Sequence, residues 1–195
     1  MKIESKPAWI FLALTTVLAA QSCSYFRRSE FATLVATDLT SIIDNGASEP
    51  DKRRLAQNEN ERKKLIQTLK QKYALAQAAE AEGLNKGERF QRELALGIDQ
   101  LLATEYSKRN RELQVSKEEL DAYFAAHKDA FESDFKVITA NQKPEPSNEE
   151  KESFKPRWSE IKLRAEKGRQ AGLEKEPGFG ISVKINKAYL LAGLY

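Results

Sequence analysis

The pair Gly83-Leu84 recurs as Gly172-Leu173, and its surroundings recur with it. Leu101-Leu102-Ala103 and Tyr106 return as Leu190-Leu191-Ala192 and Tyr195. The offset is 89 residues at each of these positions, and Ala76 with Ala165 and Lys86 with Lys175 keep it. Glycine suits the left-handed position that ends a helix, and the Leu after it can close over the last turn. The pattern predicts a helix, a Gly-Leu break and a second helix folded back, built twice. The competing reading is chance resemblance between two helical segments rich in Leu and Ala.

Apolar spacing fills in the elements. Thr37 or Asp38 caps a short helix through Ile43, and Asn45-Gly46 marks a turn. Pro50 suits the first turn of another short helix through Ala56. Asn58 or Asn60 caps a long helix over about 61–82, with Leu65, Leu69, Tyr73, Ala76 and Ala79 on one stripe. Asn85 caps the next, to about Leu113, with Phe90, Leu94, Ile98, Leu101 and Leu102 on its stripe. Two long helices on a short link are expected to pack antiparallel.

Ser116-Lys117-Glu118-Glu119 is a capping box and opens a helix ending near Ala126 or His127. Lys143-Pro144-Glu145-Pro146 cannot continue a helix and marks a linker. Ser147-Asn148-Glu149-Glu150 repeats the capping-box signal. Pro156 then either kinks the helix to Gln170 or moves its start later. Glu176 to Gly180 reads as a loop and Ile181 to Tyr195 as a last helix. The sequence stops inside that pattern without a C-cap, which suggests a truncated form of something longer.

Composition removes several function classes. Net charge is +3, and Arg53-Arg54, Arg62-Lys63-Lys64 and Lys108-Arg109 alternate with Glu59, Glu61, Glu105 and Glu112. These are solvated helix faces rather than a phosphate footprint, so no nucleic-acid partner is expected. The one Cys, Cys23, excludes an internal disulfide and a Cys-rich zinc site. The one His, His127, leaves little for a metal site or a triad, and reads as an exposed residue where the helix dipole favours it. There is no phosphate-binding Gly-rich loop, no nucleophile elbow and no HExxH. The carboxylates show no apolar context that would raise a pKa for acid–base work. No cofactor, metal or catalytic residue is expected.

The N-terminus is an address. Two lysines precede the mostly apolar run Ala8 to Ala20, too short to span a bilayer as a helix and suited to a secretory h-region. Ala20-Gln21-Ser22-Cys23 resembles the lipobox of bacterial lipoproteins, which implies cleavage before Cys23 and acylation of its sulfur. Ala20-Gln21-Ser22 also fits an ordinary signal-peptidase site, and an uncleaved anchor is the third reading. The leading readings place the body outside the cytoplasm, in the periplasm if the lipobox holds.

Three segments carry a wider resemblance: Arg62 to Ile66 with Ala74 to Leu84, then Leu101-Leu102-Ala103, then Val115 to His127. Together they look like the N-terminal region of SurA/PrsA-type peptidyl-prolyl isomerases, which are exported chaperones. That resemblance implies an all-α fold of helical hairpins, a SurA N-terminal or trigger-factor-like peptide-binding domain, here as two related units. It divides the chain into a signal peptide (1–22), a tether (23–36), a SurA-N-like domain (37–135), a linker (136–147) and a second unit (148–195).

The family's parvulin domain would begin after Phe135, and Lys136-Val137-Ile138-Thr139-Ala140 leads instead into another helical unit. Family membership implies prolyl isomerisation, but no catalytic residue carries over. The function implied is reversible holding of unfolded exported proteins. The groove residues expected are Tyr73, Phe90, Tyr123, Phe124, Phe131, Phe154 and Trp158, each of which is equally a core-packing candidate. A parvulin-free scaffold lipoprotein binding one folded envelope partner is the alternative.

Overall fold

The computed structural model describes residues 29–46, 48–140 and 143–195. The expected signal peptide and Cys23 lie outside them. Among the described residues the chain is all-helical. The helices are α1 (Ala36–Gly46), α2 (Glu49–Gln57), α3 (Glu59–Ala81), α4 (Glu88–Arg109), α5 (Lys117–Ala126), α6 (Lys128–Thr139), α7 (Asn148–Gln170) and α8 (Pro177–Leu194).

Local chemistry sets the boundaries. The Asn58 side chain accepts from the backbone N–H groups of Asn60 and Glu61 and so starts α3. Ser116 and Ser147 each make the full reciprocal capping box, with Glu119 and Glu150. The second box starts α7 at Asn148, so the helix runs through Pro156 rather than beginning after it. Pro156 is exposed, where a missing N–H costs least. Residues 136–139, expected within the linker, complete α6 instead.

Gly83 and Gly172 end α3 and α7 at φ +78° and +75°, in the left-handed region. Each is followed by one 3₁₀ turn, Leu84–Lys86 or Leu173–Lys175. That turn displaces two sequence expectations. Gly87, not Asn85, is the N-cap of α4. The stretch read as a loop after Glu176 is the first turn of α8, with Pro177 in the opening position that proline tolerates. Every boundary of α3 and of the first 3₁₀ turn, and the start of α4, returns 89 residues later.

The packing departs from the hairpin expected. α3 and α4 do not lie along each other, and neither do α7 and α8. Instead α4 lies along α7 and α3 along α8, so each half supplies the partner that the other lacks. Two apolar clusters result. One joins Tyr73, Ala76, Ala79, Phe90 and Leu191, with Leu84 packed against them; the other joins Leu102, Ala165 and Leu173, with Ile98, Tyr106 and Phe179. Ala76, Leu84, Phe90 and Leu191 stand where Ala165, Leu173, Phe179 and Leu102 stand in the copy. Small residues let the partners close: Ala79 is fully buried, and a Cβ on its counterpart Gly168 would lie 3.3 Å from the Leu102 carbonyl oxygen.

α5 and α6 bridge the halves, α5 against α7 and α6 against α4. α1 packs on α8, where the buried Asp38 carboxylate accepts from Lys184 Nζ at 2.9 Å. Beside it, Lys187 joins Glu30 and Glu80. No helix among the described residues is long and apolar enough to cross a membrane.

Candidate peptide-binding grooves

The seven aromatic residues expected in a groove fall into two groups. Tyr73 and Phe90 are buried in the α3–α8 cluster. Burial and the nearby Asp38 carboxylate push the Tyr73 phenol above its ordinary range. The other five sit together on α5, α6 and the first half of α7. Phe131 is fully buried at their centre, with ring centroids 5.2 Å from Phe124, 5.4 Å from Trp158 and 6.3 Å from Phe154. Tyr123 is 6.0 Å from Trp158. Edge-on and tilted pairs at these separations are favourable packing. Tyr73, Phe90, Phe131 and Trp158 are therefore core residues, while Tyr123, Phe124 and Phe154 keep part of their surface in solvent.

The same region holds charges that the sequence did not announce. Asp99 on α4 and Asp134 on α6 are both buried, and Lys162 on α7 reaches them at 2.6 and 2.9 Å. Trp158 Nε1 donates to Asp134 at 3.0 Å, and Arg169 pairs with Asp99 and Glu174. Burial works against the Lys162 ammonium, but its hydrogen bonds to Asp99 and Asp134 outweigh it and hold its pKa above the usual range.

Tyr123 donates to Glu166 at 2.6 Å, and burial and that carboxylate push its phenol upward. The expectation of an exposed His127 is corrected here. Its ring stacks on Tyr123 at 4.1 Å, and Nδ1 lies 2.8 Å from the Tyr123 carbonyl oxygen. Together these groups line a cavity of about 430 Å³. Each buried carboxylate has a cation, so the arrangement pins α4, α6 and α7 together. No group of three or more candidate metal-ligating side chains occurs among the described residues.

Open apolar surface lies elsewhere. Ile42 of α1, Leu101 of α4, and Ile185 and Tyr189 of α8 line a groove of about 330 Å³, with Ser41, Ser182 and Asn186. Tyr189 is 42% exposed, with Lys72 Nζ 5.6 Å from its ring centre. The Asn186 Nδ2 is buried without a hydrogen-bond partner. A smaller groove of about 210 Å³ adjoins it, sharing Leu101 and Ser182 and adding Thr104, Lys108 and Phe179. A third groove of about 500 Å³ between α4 and α7 shares Thr104 and Lys108 and is lined further by Arg111, Arg157, Glu160 and Arg164.

Sequence reasoning placed Leu101 and Ile185 on apolar stripes but did not bring them together in a groove. The grooves arise where α4 meets helices from both ends of the chain, and that meeting follows from the partner exchange. No family model, curated protein or solved structure matches this chain.

Proposed function

We propose that this chain is the client-binding helical part of an exported SurA/PrsA-type foldase, holding extended segments of unfolded proteins, and that a lipid on Cys23 tethers it to the membrane. The observation that carries the reading is the open apolar groove of Ile42, Leu101, Ile185 and Tyr189. An extended polypeptide offers apolar side chains alternating with backbone carbonyls. An apolar trough complements the apolar side chains and removes them from water. The helices around the trough are tied by ion pairs and clusters, so it is formed before a client arrives. The reading assigns holding, and no bond-making or isomerising chemistry, to these residues.

The test is suppression of aggregation. Residues 24–195 at several-fold molar excess over an unfolded outer-membrane protein should slow the rise of light scattering. Leu101→Lys and Tyr189→Lys should weaken that effect while the circular dichroism spectrum stays helical. No suppression at any ratio, with one folded partner captured tightly instead, would replace this reading with that of a scaffold.

A further inference from the structure

The three grooves follow one another along a single face of α4. Leu101, Thr104, Glu105 and Lys108 are spaced three and four apart, and the grooves share Leu101 at one junction and Thr104 with Lys108 at the other. Seven residues of helix cover about 10 Å, a distance that about three residues of extended chain span.

The character of the lining changes along the way. The first groove is mainly apolar. In the second, charges cancel: Lys108 pairs with Glu105 at 2.7 Å, and Arg109 pairs two-pronged with Glu176. The third carries Lys108, Arg111, Arg157 and Arg164 against the single carboxylate of Glu160. Arg164 is fixed there by Ser107 Oγ at 2.8 Å and Glu160 at 2.8 Å, with its Nε buried and unpartnered. Arg111 and Arg157 are exposed and have no carboxylate partner among the described residues.

We infer that these grooves form one track that takes an unfolded polypeptide segment whose apolar stretch adjoins a run of Asp or Glu. The inference rests on the holding function proposed above and names the clients for which that site is built. Charge complementarity decides the occupant: free guanidinium groups are matched by carboxylates, which they can bind through two parallel N–H donors. The apolar half supplies the bulk of the affinity through burial, and the acidic half sets which segments are preferred and in which direction they lie.

The experiment uses the protein with three fluorescent peptides that share one apolar half and differ in the other, ending in three Glu, three Gln or three Lys. Anisotropy titrations should show the Glu peptide binding about fivefold more tightly than the Gln peptide, as exposed ion pairs allow. The Lys peptide should be weakest, and added salt should compress the differences. Arg111→Ser and Arg157→Ser lie at exposed positions, so both variants keep the fold. Each should reduce the Glu preference while leaving the Gln peptide unchanged.

Equal binding of all three peptides, with aggregation still suppressed, overturns this inference and leaves the holding function standing. No peptide binding and no suppression removes both. If vesicles of anionic phospholipid bind through Arg111 and Arg157 while the peptides go undiscriminated, the cationic groove belongs to a membrane surface and the inference fails.

Discussion

Gly97 of α4 faces Asn186 of α8, the residue 89 positions further on, and a Cβ on Gly97 would lie 2.1 Å from Asn186 Nδ2. A position meets its own copy only at a twofold axis. The contact therefore marks where the symmetry between the two halves runs through the molecule, and why this helix midpoint has no side chain. Helix propensity alone would reward Gly97→Ala by about 1 kcal/mol. The close approach should reverse that sign and give a net loss of about 1 kcal/mol in urea denaturation. Gly97→Ala combined with Asn186→Ala should recover most of it. An additive double-mutant cycle would mean that the two positions do not touch.

Gly83 and Gly172 are retained for backbone shape, not for space. A Cβ on Gly172 would meet nothing within 4 Å, and one on Gly83 only the Lys86 side chain. Ala at either position should still cost about 1 kcal/mol because an L side chain disfavours positive φ, and Asn should cost less than Ala. Thermal melts of the four variants measure this.

Equivalent core positions should answer alike. Leu102 and Leu191 are both fully buried, one in each cluster. Leu→Ala at either should cost about 3 kcal/mol through lost burial and the cavity left behind. A large difference between the two variants in denaturant midpoint would show that the clusters are unequal in strength.

Lys162 links stability to pH. Its pKa is raised in the folded protein, so the folded state holds that proton more tightly than the unfolded chain. The stability it contributes is complete below the ordinary lysine value of about 10.4 and is lost as pH rises through the folded value. Between pH 9 and pH 12 the melting temperature should fall, and Lys162→Met should flatten part of that fall. At pH 7 the same variant leaves Asp134 without a cation and Asp99 with Arg169 alone, at a cost of about 3 kcal/mol.

The partner exchange predicts an uncommon outcome of cleavage. A protease site built into residues 143–146 should yield two pieces that stay together in size-exclusion chromatography. α7 and α8 bury their apolar stripes on α4 and α3, so the cut removes a tether without exposing either cluster. Separation of the pieces without denaturant would refute the arrangement.

What the sequence disclosed was local. Asn58, Ser116, Ser147 and the two Gly-Leu pairs act on groups within a turn of themselves, and each does what its neighbours predict. The pairing of helices was hidden because the stripes on α3, α4, α7 and α8 share one period and similar residues. Nothing in Tyr73 or Ala76 says that α8 rather than α4 lies along their helix. Asp99 could have been noticed, since a carboxylate between Ile98 and Leu101 interrupts an apolar stripe and calls for a cation. Pro177 misled because Gly178 and Gly180 suggested a loop, while proline in an opening turn favours a helix. Of the aromatic residues expected in a groove, Tyr73, Phe90, Phe131 and Trp158 are buried, because large rings on an apolar stripe are what a helical core is made from.

The exchange of partners also orders events during synthesis. α3 cannot cover its stripe until α8, an 18-residue helix at the far end of the described chain, has been made. Local hairpins form early on a growing chain, but the contacts of α3 with α8, such as Glu80 with Lys187, span more than a hundred residues and cannot. A ribosome-bound intermediate ending near residue 140 would carry two unclosed apolar faces and remain pliable. Such a chain stays open for most of its synthesis and closes only when α8 arrives.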